Sequence, residues 1–330
     1  MNYKVKNQIS DKKLIVALSV AISLLTLLGI FISGVALPFA AAFYAVLLLC
    51  CGSHRPAVPG AIAACSVALD VIMNGYLATF AVQFVIAGVI IMLAVRRGYN
   101  KSSLAAILTG IFVGFILLNL LLYAFWYTGE YSIVAASKYY LEIYDAFKAE
   151  IVAALTSIAI ELPNGTEQFI SSDSIAAMID ATAKLSIAFA IILGFLIAGI
   201  AIKCFTAFSV RIIENHKDMR AWHFSTGNVF AYAYAVAAII NLFLTDDTVF
   251  GIALANFYLI FMAVYGYIGF KLLIGFLRVS DRRLMILVIF TISIIILGIY
   301  VLIPLSIFGV YAVITVNRYA TSGDADSINK

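Results

Sequence analysis

The chain has 330 residues, of which 64% are hydrophobic and only 12% are charged, and its mean hydropathy is +1.08. An ordinary soluble domain is about half apolar and about a quarter charged, so no water-soluble fold of this length could bury these side chains. The composition excludes a soluble globular protein and predicts an all-α, polytopic bundle of membrane-spanning helices. The net charge of +4 says little by itself, because the positions of the charges carry the information.

Nine apolar segments have about the length of a membrane span, since a bilayer core about 30 Å thick requires about 20 helical residues. The first is longer than the apolar core of a signal peptide, which predicts an uncleaved span. The predicted spans are 14–35, 37–51, 57–74, 76–95, 104–128, 185–206, 228–244, 249–276 and 284–303. Pro304 interrupts the last apolar stretch, and residues 304–317 can form a tenth span or a half-helix, so we expect 8–10 spans.

The loops between these spans carry very different numbers of basic residues. If the N-terminus is cytoplasmic, sixteen of the 21 lysines and arginines lie in or beside cytoplasmic segments, and three lie outside. Cytoplasmic loops of membrane proteins are enriched in Lys and Arg. The distribution therefore predicts a cytoplasmic N-terminus.

A long segment, 129–184, lies outside the membrane in this topology. Apolar side chains recur in it every three or four residues, as in an amphipathic helix, at Leu141, Tyr144, Phe147, Ile151, Leu155 and Ile158. A break at 162–165 precedes a second helix, for which Ser171 or Ser172 can be the N-cap. We expect an extracytoplasmic helical hairpin that either rests on the membrane surface or covers an outward-facing cavity.

This segment divides the chain into four parts. They are a five-span bundle (1–128), the helical insertion (129–184), a bundle of about four spans (185–317) and a polar tail (318–330).

Motifs of catalytic or nucleotide-binding chemistry are missing from the sequence. It has no Gly-rich phosphate loop, no HExxH, no GxSxG and no basic nucleic-acid arm. None of the three histidines lies in a predicted span, and the four cysteines show no metal-binding spacing. We therefore expect no enzyme, no cofactor, no metal site and no nucleic-acid partner.

Five polar side chains lie at similar depth in the outer halves of five spans: Asp70, Gln83, Asn119, Asn241 and Asn256. Lipid cannot satisfy such groups, so they should face the bundle interior or water. In one interpretation the amides join helices by hydrogen bonds, while Asp70 extends to the outer surface or is protonated. In the other, the five residues line a ligand pocket that opens to the outside.

Two pairs of small residues have the spacing that lets membrane helices approach closely. Ala17 and Ala21 form an AxxxA in the first span, and Gly110 and Gly114 form a GxxxG in the fifth. Both pairs are candidates for helix packing or for docking of a partner.

The layout resembles that of a known family of bacterial membrane proteins. The features that carry the resemblance are the segment LPFAAAFYAVLLLCCG (37–52), the outer helical segment with its Leu-Pro break, the connector RIIENHKDMRAWHF (211–224), and Gly309 followed by Arg318. In this pattern the chain resembles the YybS-like family over nearly its whole length. The N-terminal half is in turn similar to the S components of energy-coupling-factor transporters, which capture vitamins or metal ions.

The resemblance implies a protein of the bacterial plasma membrane with an outward-facing site and a docking face at Ala17 and Ala21. Our leading hypothesis is solute uptake, with Asp70 recognising charge and the four amides orienting a small-molecule ligand. Energy would come from a coupling subunit, a partner ATPase or an ion gradient. The alternative is a non-transporting scaffold or accessory protein for envelope, division or sporulation machinery.

Overall fold

The computed structural model describes residues 12–51, 55–75, 78–156, 159–161, 167–169, 171–209, 226–243, 248–279, 285, 288, 290, 292 and 298–328. The helices and strands in this part of the chain are α1 (Lys12–Phe31), α2 (Ser33–Cys51), α3 (Ala57–Asn74), α4 (Phe80–Arg97), α5 (Lys101–Thr128), α6 (Ile133–Thr156), β1 (Ala159–Glu161), β2 (Glu167–Phe169), α7 (Ser172–Lys184), α8 (Ser186–Phe208), α9 (Asn228–Phe243), α10 (Val249–Val279) and α11 (Leu302–Ile328), the last preceded by a 3₁₀ turn (Gly298–Val301).

Six of the described helices are long and apolar enough to cross a membrane: α1, α3, α4, α5, α8 and α10. Three more contain shorter apolar stretches, at Val35–Cys51, Asn228–Asn241 and Leu302–Thr315. By the length and composition of these helices, the expected helical, multi-pass architecture is confirmed. The count of nine spans and the cytoplasmic N-terminus stay predictions, and half of the span expected at 284–303 lies outside the described residues.

The described residues belong to two compact units. Unit 1 comprises those in 1–183 and 193–222, and unit 2 comprises those in 184–192 and 223–330. The helical insertion therefore belongs with the N-terminal bundle. The helix α8 contributes its first residues to unit 2 and the rest to unit 1.

The helix α2 forms the centre of unit 1. Its side chains are buried on all sides, including Ala40, Ala41, Tyr44, Ala45 and Leu47. A helix that is apolar all round is suited to burial, and its many alanines let neighbouring helices approach closely. One such approach is at Gly88 of α4, where a Cβ would lie 3.0 Å from the carbonyl oxygen of Ala41.

The hairpin of α6 and α7 differs in one respect from the sequence prediction. The two helices are present, and Ser171 is confirmed as N-cap because its Oγ accepts a hydrogen bond of 3.2 Å from the amide of Ser174. Between the helices, β1 pairs antiparallel with β2, with Ala159 opposite Phe169. These strands flank the Pro-containing break at 162–165, which itself lies outside the described residues.

The two hairpin helices are joined through a single carboxylate. Both oxygens of Asp180 on α7 lie 2.7 Å from Nζ of Lys148 on α6, and Tyr144 Oη also donates to this carboxylate. The hydrogen bond to Asp180 raises the pKa of Tyr144 from 10.0 to about 12, helped by burial and by the negative charge of Asp180.

This arrangement predicts that Tyr144 loses its proton only at a pH well above that of an ordinary tyrosine. Because the folded pKa is raised, the stabilising contribution of the Tyr144 bond is complete below pH 10.0 and is lost as the pH rises through about 12. The ultraviolet difference spectrum between the wild-type protein and Tyr144→Phe should show one phenol ionising near 12, and Asp180→Asn should move its midpoint towards 10.0. A midpoint unchanged by Asp180→Asn would contradict the assignment.

Unit 2 is built on a very close crossing of α10 and α11. A Cβ at Gly269 would overlap the carbonyl oxygen of Leu305, and a Cβ at Gly309 would overlap that of Tyr265. Pro304 lies in the first turn of α11, where its missing N–H removes no intrahelical bond. Residues 304–317 are thus part of one helix, which continues through most of the predicted polar tail.

Candidate functional site

The carboxylate of Asp70 caps a neighbouring helix. Asp70 lies in the last two turns of α3 and is only 1% exposed, so it does not extend to the surface. Its Oδ2 accepts a hydrogen bond of 2.9 Å from the amide of Ala81, in the first turn of α4, and its Oδ1 accepts one of 2.7 Å from Asn74 Nδ2. A carboxylate at this position satisfies a helix amide that would otherwise lack a partner and interacts favourably with the helix dipole.

The start of α4 explains why a cap from another helix is needed. Gly75 ends α3 with φ of 58°, and Thr79 is the N-cap of α4 but makes no capping bond with its own side chain. Instead, Thr79 Oγ1 donates to Asn119 Oδ1 on α5 and accepts a bond of 3.2 Å from Gln83 Nε2. The Thr79 hydroxyl is used between helices, and Asp70 takes over the cap.

Three of the five predicted site residues therefore meet in unit 1. We call Asp70, Asn74, Thr79, Gln83 and Asn119 the polar junction, which links the end of α3, the start of α4 and the C-terminal half of α5. Sequence reasoning missed Thr79, although a threonine directly before an apolar helix is a common N-cap signal. It also missed Asn74, which lies one helical turn after Asp70.

Some hydrogen-bonding groups of the polar junction have no partner in the described part of the chain. They are Oε1 of Gln83 and Nδ2 of Asn119, since only Nε2 of the first and Oδ1 of the second are bonded. Every fully buried side-chain nitrogen or oxygen among the described residues has a partner. The two atoms are therefore not fully buried, although Gln83 as a whole is only 8% exposed.

Asn256 belongs to unit 2 and joins helices. Its Nδ2 donates to the carbonyl oxygens of Lys184 (2.8 Å) and Ile252 (2.9 Å), and its Oδ1 accepts from the amide of Ala188 at 2.9 Å. These bonds satisfy the last carbonyl of α7 and a first-turn amide of α8. Interhelical hydrogen bonding, one of the two interpretations of the sequence, thus accounts for Asn256.

Asn241 is the fifth predicted site residue. It is half-buried near the end of α9 in unit 2. No side-chain hydrogen bond within the described residues connects it to the polar junction or to Asn256.

Three of the four candidate packing residues are exposed. Gly110 and Gly114 are exposed, and a Cβ at either would meet no atom within 4 Å. The glycine that lets α5 approach α8 is Gly194, where a Cβ would lie 3.2 Å from the carbonyl oxygen of Thr109. Ala17 is exposed and Ala21 is half-buried, because α1 packs through its other side.

The described residues contain no group of three or more His, Cys, Asp or Glu side chains that could hold a metal ion. Comparison of the chain with protein-family models, curated proteins and solved structures found no match. The six bilayer-length apolar helices fit an integral membrane protein.

Proposed function

We propose that the protein belongs to the solute-uptake class and that unit 1 binds a small, uncharged, hydrogen-bonding solute at the polar junction. The observation that carries the proposal is a pair of amide atoms without a hydrogen-bond partner among the described residues, Gln83 Oε1 and Asn119 Nδ2, held together through Thr79. One is an acceptor and the other a donor, so together they suit a hydroxyl, amide or carbonyl group.

The bonding of Asp70 supports an uncharged solute. Its carboxylate is buried, bonded to Asn74 and Ala81, and placed at the positive end of the α4 dipole. A charge compensated in this way adds little attraction for a cationic ligand. We assign Asp70 the positioning of α4, and with it the positioning of Thr79 and Gln83.

Active uptake would need a partner ATPase or an ion gradient, because the sequence contains no nucleotide-binding motif. The resemblance to the YybS-like family and to S components supports a coupling subunit or ATPase as that partner. The exposed side of α1 that contains Ala17 is available for such docking.

The test compares small molecules that co-purify with the full-length protein in mild detergent. Asn119→Leu removes the amide, and Thr109→Val is its matched control. Thr109 is on the same helix, and within the described part of the chain its hydroxyl bonds only to the carbonyl of Ala105, at 2.7 Å. Mass spectrometry of the denatured samples should find a compound in the wild-type and Thr109→Val proteins that is lost from Asn119→Leu.

An identical set of compounds in all three proteins, or none in any, would overturn the proposal. Co-purification of an envelope or division protein instead would favour the scaffold alternative.

A further inference from the structure

An apolar stripe on α6 is left uncovered by the rest of the described chain. Ile143 and Phe147, one turn apart, are 42% and 55% exposed. They continue the side of α6 that begins with the buried residues Ala136 and Tyr139. The first half of this side packs on α5, whereas Ile143 and Phe147 in the second half are exposed.

The contact with α5 fixes the level of α6 relative to the membrane. Tyr140 Oη donates a bond of 2.6 Å to the carbonyl oxygen of Leu120, and the rings of Tyr139 and Tyr127 lie 4.8 Å apart. With 28 residues, α5 is about 42 Å long, about 12 Å more than the hydrocarbon core. Its last two turns carry exposed aromatic side chains, Tyr123, Trp126 and Tyr127, which are typical of the membrane–water interface.

The bonds to α7 fix a second point two helical turns further along α6. Tyr144 and Lys148 bind Asp180, which lies six residues before α8 begins at Ser186. Since α8 is apolar enough to cross the membrane, Asp180 is close to the point where the chain enters it. Residues 140–148 of α6 therefore connect two points that both lie at the membrane surface.

The charges of α6 agree with this position. Asp145 is exposed on the side opposite the stripe, and Glu142 is exposed at its edge. The exposed Glu150 lies one turn after Phe147, where the stripe ends. A helix with an apolar stripe on one side and charges on the other is stable at the boundary between lipid and water. With acidic residues next to it, the stripe would bind through apolar contact rather than through attraction to anionic lipid.

We propose that Ile143 and Phe147 insert into the headgroup region of the bilayer, so that α6 is an interfacial helix anchored on lipid. The inference is independent of the proposed solute site. Of the two positions that the sequence leaves open for the hairpin, it selects the membrane surface.

The test uses nitroxide labels on single cysteines in the full-length protein, reconstituted into phosphatidylcholine nanodiscs. Phe147→Cys probes the stripe, and Ala149→Cys, exposed on the opposite side, is the matched control. Cys65 and Cys204 are replaced by serine, because Cys50 and Cys51 are buried and Cys65 and Cys204 are not. Ile143→Cys provides a second label in the stripe.

We expect the labels at 143 and 147 to collide several-fold less often with a water-soluble nickel chelate than the label at 149, and more often with dissolved oxygen. Nickel collision rates at 147 equal to or above those at 149 would overturn the proposal. Low collision rates with both reagents at 143 and 147 would overturn it as well, because they would show that protein covers the stripe.

Discussion

Gly309→Ala is expected to destabilise unit 2 by about 3 kcal/mol, the upper end of the usual cost of overpacking. The added methyl would overlap the carbonyl oxygen of Tyr265, which is backbone and cannot rotate away as a side chain could. The helices α10 and α11 would have to separate, and the buried contacts around Tyr265 would loosen. Gly269→Ala should have a similar effect, because its methyl would overlap the carbonyl oxygen of Leu305.

The measurement is equilibrium unfolding in mixed detergent micelles, followed by circular dichroism. Gly275→Ala is the matched control, since Gly275 is also on α10 and a Cβ there would meet no atom within 4 Å. It should be neutral or stabilising by up to about 1 kcal/mol, because alanine favours a helix more than glycine does.

The double variant Gly269→Ala/Gly309→Ala should lose less stability than the sum of the losses of the two single variants, since both act on one crossing. Equal stabilities of Gly309→Ala and Gly275→Ala would contradict the crossing.

Asp70→Ala is expected to destabilise unit 1 by about 2–3 kcal/mol, since hydrogen bonds to charged groups contribute about 1.5–3 kcal/mol. The substitution removes two such bonds and leaves the amide of Ala81 without its acceptor. In lipid there is no water to replace that acceptor.

Asp70→Asn separates the charge of this residue from its hydrogen bonds. The asparagine oxygen can accept from Ala81, and its amide can donate to Asn74 once the Asn74 amide is flipped. The remaining cost is the lost interaction of the charge with the α4 dipole, about 0.3–1 kcal/mol. Asp145→Ala, at an exposed position, should change stability by no more than about 0.5 kcal/mol.

The free energies of unfolding of the three variants are measured in the same micelles. Their order shows whether Asp70 stabilises unit 1 through its hydrogen bonds or through its charge. A stability of Asp70→Asn as low as that of Asp70→Ala would show that the charge matters more than the hydrogen bonds. A stability of Asp70→Ala equal to that of the wild-type protein would refute the capping role.

The polar junction and the interfacial helix meet on one turn of α5. The side chain of Asn119 bonds to Thr79, and the next carbonyl, that of Leu120, accepts from Tyr140 of α6. The proposed solute site is therefore next to the proposed lipid-anchored helix. Because the two tests use substitutions on different helices, the failure of one proposal would leave the other unaffected.

The sequence by itself determined the helical, multi-pass architecture. In lipid the backbone must satisfy its own hydrogen bonds, so apolar segments of bilayer length have to be helices. The predicted spans at 57–74 and 104–128 accordingly agree with α3 and α5 to within a few residues at each end. The helix α6 and the Ser171 cap were also readable, because both depend on residues near each other in the chain.

Only the tertiary structure decided what the polar and small residues do. The depth of a residue in the membrane follows from its place along a helix, but its partner depends on how that helix is rotated against others. Asp70 and Asn256 were therefore predicted at similar depth, yet one caps α4 and the other joins α7 to α8. Similarly, Gly110 and Gly114 have the spacing of a packing motif but are exposed, while Gly269 and Gly309, forty residues apart, form a very close crossing. The spacing of residues is local information, whereas the packing of two helices depends on both surfaces. That is why the sequence determined the helices and the tertiary structure determined the partners of their polar side chains.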